Sequence, residues 1–382
     1  MKGLLNSWRA RFSEKWAVKD LPKTASRGSI SKDQLSILPE CRESYLVFVD
    51  GYLDLSLSCL PKELVALPLE GSISSYGLFL QNRWTKLIQE EKEEKMLLNG
   101  ALAEGALFLY VPPHFVLSTP LQIHQVFTSN DLAVPRIEAI LGKCASLSVV
   151  QTAQALCDCP WRAGAWVASL EEGASFNLMS QTNLGSKSRS SEAVRVQLKR
   201  DANFSFFEAS RGGEEAVVSV FVDLAQENSF AHLKALGMLD KKRRFDCRFQ
   251  ARHIAPSCRS RQHVKMALFD EGRSHFEGKI YVEPEAQKTE SYQLNQNLLL
   301  SNQAQAQSKP ALEIFADDVK ASHGAVVSQL GDEEMFYLAS RGLSQEEGRK
   351  LLVKGFCREL LDEVPLERVR NQLLNEIDQW IK

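Results

Sequence analysis

Hydrophobic and polar positions change their rhythm three times along the chain. Near the start, Leu5, Trp8, Phe12 and Trp16 stand three or four apart, which predicts a helix with one apolar face. The polar stretch KDLPKTASRGSISKDQ follows, with Pro22 and Gly28, and reads as a linker with a boundary near residue 30. Tyr45 to Tyr52 reads as a short strand ending at Asp50-Gly51. The charged run Glu90 to Lys95 reads as a solvated helix face leading into a helix over Met96 to Ala103.

From Ala106 the texture turns to short Val-, Phe- and Leu-rich runs for about two hundred residues. Val194, Val196 and Leu198 alternate with Arg195, Gln197 and Lys199, so one face can be buried while the other stays wet. Phe245, Cys247 and Phe249 repeat the pattern, as do Val264, Met266 and Leu268. Gly212-Gly213, Glu227-Asn228 and Glu271-Gly272 suit the intervening turns. Many short strands without crossover helices fit a sandwich or a β-solenoid equally well, and no rigid repeat length separates the two.

Helical grammar returns at the end. Ser344 stands three before Glu347, a capping box, and Leu351, Leu352, Phe356 and Leu360 form an apolar face of a helix ending near Pro365. Val369, Leu373, Ile377 and Trp380 line a second helix. The expected organisation is a mainly helical region over 1–105, a β core over 106–330 and a helical region over 331–382.

Composition narrows the function classes. The 382 residues carry a formal net charge of -2 with basic residues spread along the chain, which argues against a nucleic-acid partner. Eight irregularly placed cysteines do not form a secreted disulfide framework and fit reduced thiols in a cytoplasm. Asn6, Ser7, Arg9 and Arg11 interrupt any signal-peptide core, and no run of about 18 apolar residues offers a membrane span. No membrane association is expected.

Enzymatic signatures are missing: the chain has no G-x-x-x-x-G-K-[ST], G-x-S-x-G, H-E-x-x-H or C-x-x-C. His253, Cys258 and His263 offer three metal-type ligands, one short of a structural zinc set. Cys157 and Cys159 would share a strand face without a second pair to complete a site. KKRR at 241–244 and the basic CRSRQH could touch phosphates but are more simply solvated turns and strand faces.

Residues 276–356 are the most specific part of the sequence. In order they carry Ala286-Gln287-Lys288-Thr289, Asn297-Leu298-Leu299-Leu300-Ser301, LEIFADDVK, SHGA and FYLASRGLS. These blocks resemble the SufB/SufD family of iron–sulfur cluster assembly scaffolds, and weaker likeness extends upstream through LVFVDGYL to about residue 45. SufB-type members are longer, have a cysteine-containing segment where this chain has YQLNQNLLLS, and a Glu-His-Glu near Ser322-His323-Gly324, so the local wording is of the SufD type.

The resemblance implies a right-handed parallel β-helix core flanked by N-terminal and C-terminal helical regions. It implies a SufB-type partner and a SufC-type ATPase docked on the C-terminal helices, with ATP hydrolysed on SufC and a transient iron–sulfur cluster in the complex. A flavin in the complex, and a homodimer of the isolated chain, stay open. His323 matches the family's candidate ligand at the heterodimer interface; a neutral imidazole can offer one ring nitrogen to iron while the other is held by a hydrogen bond. The family pattern has cysteine two residues earlier, where this chain has Ala321, so thiolate donors would come from the partner. SufC docking is expected over Tyr337 to Leu360, with Tyr337, Arg341, Leu351, Leu352, Phe356 and Leu360 as candidates and Arg341-Gly342 at a helix-to-helix turn.

Two rivals remain at this point. One is a purely architectural paralogue without a cluster role, which Ala321 favours. The other is a solenoid acting on carbohydrate through paired carboxylates, for which Glu283 with Glu285 and Asp317 with Asp318 give little support.

Overall fold

The computed structural model describes Ser7, Ala10, residues 23–72, Gln89 and residues 91–381. The helix expected over Leu5 to Trp16 lies outside the described residues. Two largely parallel sheets face each other, and from Arg136–Leu141 onward the chain passes from one to the other at every turn. The first sheet runs, in spatial order, through Tyr52–Cys59, Tyr45–Val49, Leu121–Phe127, Ser146–Ala155 and Ser175–Thr182. It continues through Asn203–Ser210, Phe230–Leu239, Arg259–Leu268 and Thr289–Leu299 to Val319–Gln329. The second runs from Val65–Pro68 and Leu107–Val111 through Arg136–Leu141, Trp161–Leu170, Arg189–Leu198, Glu215–Leu224, Arg244–His253 and Arg273–Val282 to Gln305–Ile314. This is a parallel β-solenoid, and it settles the choice against a sandwich.

Alternation drives the stacking. Val194, Val196, Leu198, Phe245, Cys247, Phe249, Val264, Met266 and Leu268 all point into one continuous core. Parallel register places Phe176 on Phe204 with ring centroids 5.6 Å apart, while Phe249 meets Phe276 diagonally, edge-on at 6.3 Å, over the space left by Gly278. At one corner, Cys144, Gly173, Asp201, Asn228, Ser257 and Lys288 all take positive φ. Each donates its backbone N–H to a carbonyl of the next coil: Glu172, Arg200, Glu227, Pro256, Gln287 and Asp318 respectively. The corner therefore carries its own ladder, and each non-glycine residue there accepts left-handed strain in return for a satisfied donor.

The described part of the N-terminal region holds strands where mainly helix was expected. Tyr45–Val49 turns tightly at Asp50 and Gly51, both with positive φ, into Tyr52–Cys59, and Val65–Pro68 joins the other sheet. These strands close the start of the solenoid with antiparallel pairs. Within residues 91–105, α1 (Glu94–Leu102) packs Met96, Leu97 and Ala101 on the outer face of the second sheet, and Glu91 just before it pairs with Arg195. Tyr45–Val49 is the short strand expected to end at Asp50-Gly51, whereas Tyr52–Cys59 and Val65–Pro68 were not foreseen.

Three helices end the chain: α2 (Asp332–Ser340), α3 (Gln345–Leu361) and α4 (Glu367–Trp380). The capping box forms, with Ser344 Oγ accepting from the Glu347 N–H at 3.2 Å. Val353, Cys357, Leu360 and Leu361 of α3, with Val369, Leu373, Ile377 and Trp380 of α4, pack on Val150, Met179, Phe207, Leu236 and Met238 of the first sheet's outer face. Two buried lysines pin this layer: Lys265 Nζ donates to the Phe356 carbonyl at 3.0 Å and pairs with Glu359, and Lys234 Nζ meets Glu363 at 3.0 Å. The Lys265 hydrogen bond holds the Glu359 carboxyl below its usual range.

Candidate functional site

The solenoid is closed at its start and open at its end. Among the described residues, Val319–Gln329 pairs only with Thr289–Leu299, and Gln305–Ile314 only with Arg273–Val282, so each presents one unpaired edge. On this last rung even inward-facing positions are uncovered; Val327, above buried Asn297, is 50% exposed. Val326 and Phe315 add exposed apolar surface beside it.

His323 sits on this rung. Its register partner is Gln293, which faces the interior, so the imidazole belongs to the inner wall at the mouth of the solenoid and is exposed there. Ala321 and Ala325 flank it on the same face, above Ser291 and Asn295. Asp317 and Asp318 are exposed in the preceding turn. Among the described residues no group of three His, Cys, Asp or Glu side chains could hold a metal ion, at His323 or elsewhere.

Beneath His323 the core changes character. Coils built on Phe, Leu and Val give way to Thr289, Ser291, Gln293, Asn295 and Asn297, all buried. They bond to one another and to the coil below: Ser291 to Ser260 at 2.5 Å, Asn297 Nδ2 to Asn295 Oδ1 at 2.7 Å, and Ser308 Oγ to Asn295 Oδ1 at 2.7 Å. Gln293 Nε2 donates to Gln262 Oε1 at 2.6 Å, and Gln262 Nε2 donates to the Lys279 carbonyl at 3.2 Å. Gln293 Oε1 is left buried without a partner. Gly278 makes room for this amide, since a Cβ there would lie 2.1 Å from Gln293 Nε2. Polar residues facing inward look like solvent-facing ones in a sequence, which is why this layer was not foreseen.

The other sequence candidates separate. His253 is buried in the core, bonded to Ser260 at 2.9 Å and pushed down to about 4 by burial. Cys258 bonds the Gln226 carbonyl, and His263 faces outward to Gln296, so the three do not meet. Cys157 and Cys159 share a bend, where the Cys157 thiol donates to the Ser129 carbonyl at 3.1 Å. Within KKRR, Arg243 pairs with Asp240 and Arg244 with Asp246.

The helical candidates divide by exposure. Arg341 caps α2 and Gly342 turns with φ +92°, as the expected helix-to-helix turn requires. Tyr337 is 56% and Leu351 52% exposed, Arg341 is exposed with its guanidinium 5.2 Å from the Tyr337 ring, and Leu352 is half-buried. Leu360 is fully buried against the sheet, and half-buried Phe356 lies under Lys265, so neither offers a free surface as expected. The residue missed is Phe336, 77% exposed next to Tyr337.

The family described as the SufBD core domain of SUF-system iron–sulfur cluster assembly matches residues 125–356, more than half of the chain. The chain belongs to the SufBD family. The matched stretch holds most of the solenoid, His323 and the exposed side of α2 and α3. Escherichia coli iron–sulfur cluster assembly protein SufD is 38% identical over 168 residues, 44% of this chain but only 40% of that protein. A SufBD family protein of Synechocystis is 27% identical over 418 residues, 97% of this chain and 87% of that one. Bacillus subtilis SufD is 25% identical over 312 residues, 77% of this chain and 68% of that protein. A role in iron–sulfur cluster assembly follows from this membership. Among the described residues, no helix is long and apolar enough to cross a membrane.

Proposed function

We propose that this chain is a SufD-type scaffold subunit, working in the cytoplasm, which pairs through its open solenoid end with a SufB-type chain and carries a SufC-type ATPase on its C-terminal helices. The observation that carries the reading is the uncapped last rung, Gln305–Ile314 and Val319–Gln329, with unpaired backbone edges and Val326, Val327 and Phe315 in solvent. Exposed sheet edges invite another strand, so a second solenoid meeting this one end to end would satisfy them. His323 then faces the partner, and iron and sulfur assembling there are cargo, with thiolates supplied from across the junction because this chain offers Ala321. ATP binds the SufC partner. This subunit is a scaffold rather than an enzyme, and any flavin would belong to the assembled complex.

The side of α2 and α3 turned away from the sheet, with Phe336, Tyr337, Arg341 and Leu351, supports ATPase docking as an aromatic and Arg-containing patch. Co-expression with SufB-type and SufC-type chains, followed by mass determination of the captured complex, tests the reading. One copy of this chain with one SufB and two SufC is expected; a homodimer that ignores both overturns it. In the assembled complex, His323→Ala is expected to impair cluster formation without loss of assembly, and an undiminished yield would leave the subunit a purely architectural role.

A further inference from the structure

The buried amides beneath His323 have a fixed direction. A carbonyl can only accept, so the bond to the Lys279 oxygen requires Gln262 to present its NH2 group there and its Oε1 to Gln293. Gln293 must then donate through Nε2, which turns its Oε1 toward the remaining side. That oxygen is buried and unpartnered, an arrangement that costs free energy unless a donor arrives. Gly278 and the edge of Phe276 confine the amide, since a Cβ at 278 would meet Gln293 Nε2 at 2.1 Å and Phe276 Cζ at 2.5 Å. The next side chain on the same face of the same sheet is His323.

We infer that Gln293 is a positioning residue for His323: its free Oε1 accepts one imidazole N–H, fixing the tautomer and presenting the other ring nitrogen's lone pair out of the solenoid mouth. The hydrogen bonds run in one direction only, from His323 through Gln293 and Gln262 to the Lys279 carbonyl, so the ring can only donate to the amide and the nitrogen that donates keeps its proton. An imidazole held this way is a better electron-pair donor than a freely rotating one. The inference rests on the reading that His323 faces the cargo, yet the hydrogen bond can be tested without iron or partner.

The experiment is 15N–1H correlation spectroscopy of the full chain labelled at histidine, at a pH where imidazole is neutral, with the His323 signal assigned from a His323→Gln variant. In wild type one tautomer should dominate, and Gln293→Met should move the tautomer ratio about fivefold, the factor that one neutral hydrogen bond carries. Gln262→Met keeps Gln293 but lets its amide turn, and should move the ratio in the same direction by less. A change under twofold in Gln293→Met, with the melting curve unaltered, overturns the inference. If Gln293→Met does not fold, an unmoved ratio in Gln262→Met overturns it instead. An unchanged cluster yield in His323→Ala would remove the assembly role and leave this result standing, so the two failures are distinguishable.

Discussion

Replacing Phe336 and Leu351 by alanine should remove ATPase docking and leave the fold intact, whereas Leu360→Ala on the same helical hairpin should do the reverse. Phe336 and Leu351 are 77% and 52% exposed, and truncations at such positions change stability by about 0.5 kcal/mol or less. If they anchor a partner, each is worth about 2 kcal/mol at the interface, or roughly 30-fold in Kd. Leu360 is fully buried between α3 and the outer face of the first sheet, where Leu→Ala costs about 2–5 kcal/mol. Calorimetric titration of the SufC-type ATPase gives the first number and urea unfolding the second. ATPase affinity unchanged in Phe336→Ala/Leu351→Ala, or a stability loss there matching Leu360→Ala, refutes the division of the hairpin into a docking side and a packing side.

Acid should destabilise the chain through buried histidines. Burial pushes both His124 and His253 from 6.5 down to about 4, so each is neutral in the fold and takes up a proton on unfolding below 6.5. Their stabilising contribution is present above pH 6.5 and lost as pH falls toward 4, by up to about 3 kcal/mol each; urea midpoints that stay level over this window would contradict the assignment. Gly278→Ala should cost about 1–3 kcal/mol by driving a methyl group into the Gln293 amide and the Phe276 ring, and an unchanged urea midpoint would show that the amide is not confined. Val327→Lys on the open edge should abolish pairing with a second solenoid while leaving the melting temperature near wild type, read by native mass measurement; persistence of the pair would place the junction elsewhere.

Much of the solenoid was legible in its strands. Val194, Phe245 and Val264 announced inward faces because a coil with a wet outside and an apolar inside writes a period of two. The repeat was not legible because its step varies: Ser175 stacks on Asn203, Phe230 on Arg259 and Arg259 on Glu290, which are 28, 29 and 31 residues apart. Glu227-Asn228 was legible as a turn, but other corners hid for a different reason. Their left-handed positions are held by hydrogen bonds between coils, so Cys144, Ser257 and Lys288 serve where a lone turn would call for glycine. His323 entered as a candidate by resemblance, and Gln293 beneath it did not, because a glutamine in an alternating polar run gives no sign of which side it faces. In α3 the apolar stripe was placed nearly one residue off: the sheet buries Val353 and Cys357, leaving Leu351 to solvent.

A solenoid whose coils touch only their neighbours unfolds from its ends, because an outer coil is held on one side and an inner coil on two. At the open end the last coil also lacks a covered apolar interior, so its amides should exchange with deuterium fastest among the strands, through local fraying that the Phe-lined coils do not share. A joined partner would turn that terminal coil into an internal one. The slowing of exchange across Gln305–Ile314 and Val319–Gln329 on complex formation would then measure how far two separate cores have become one.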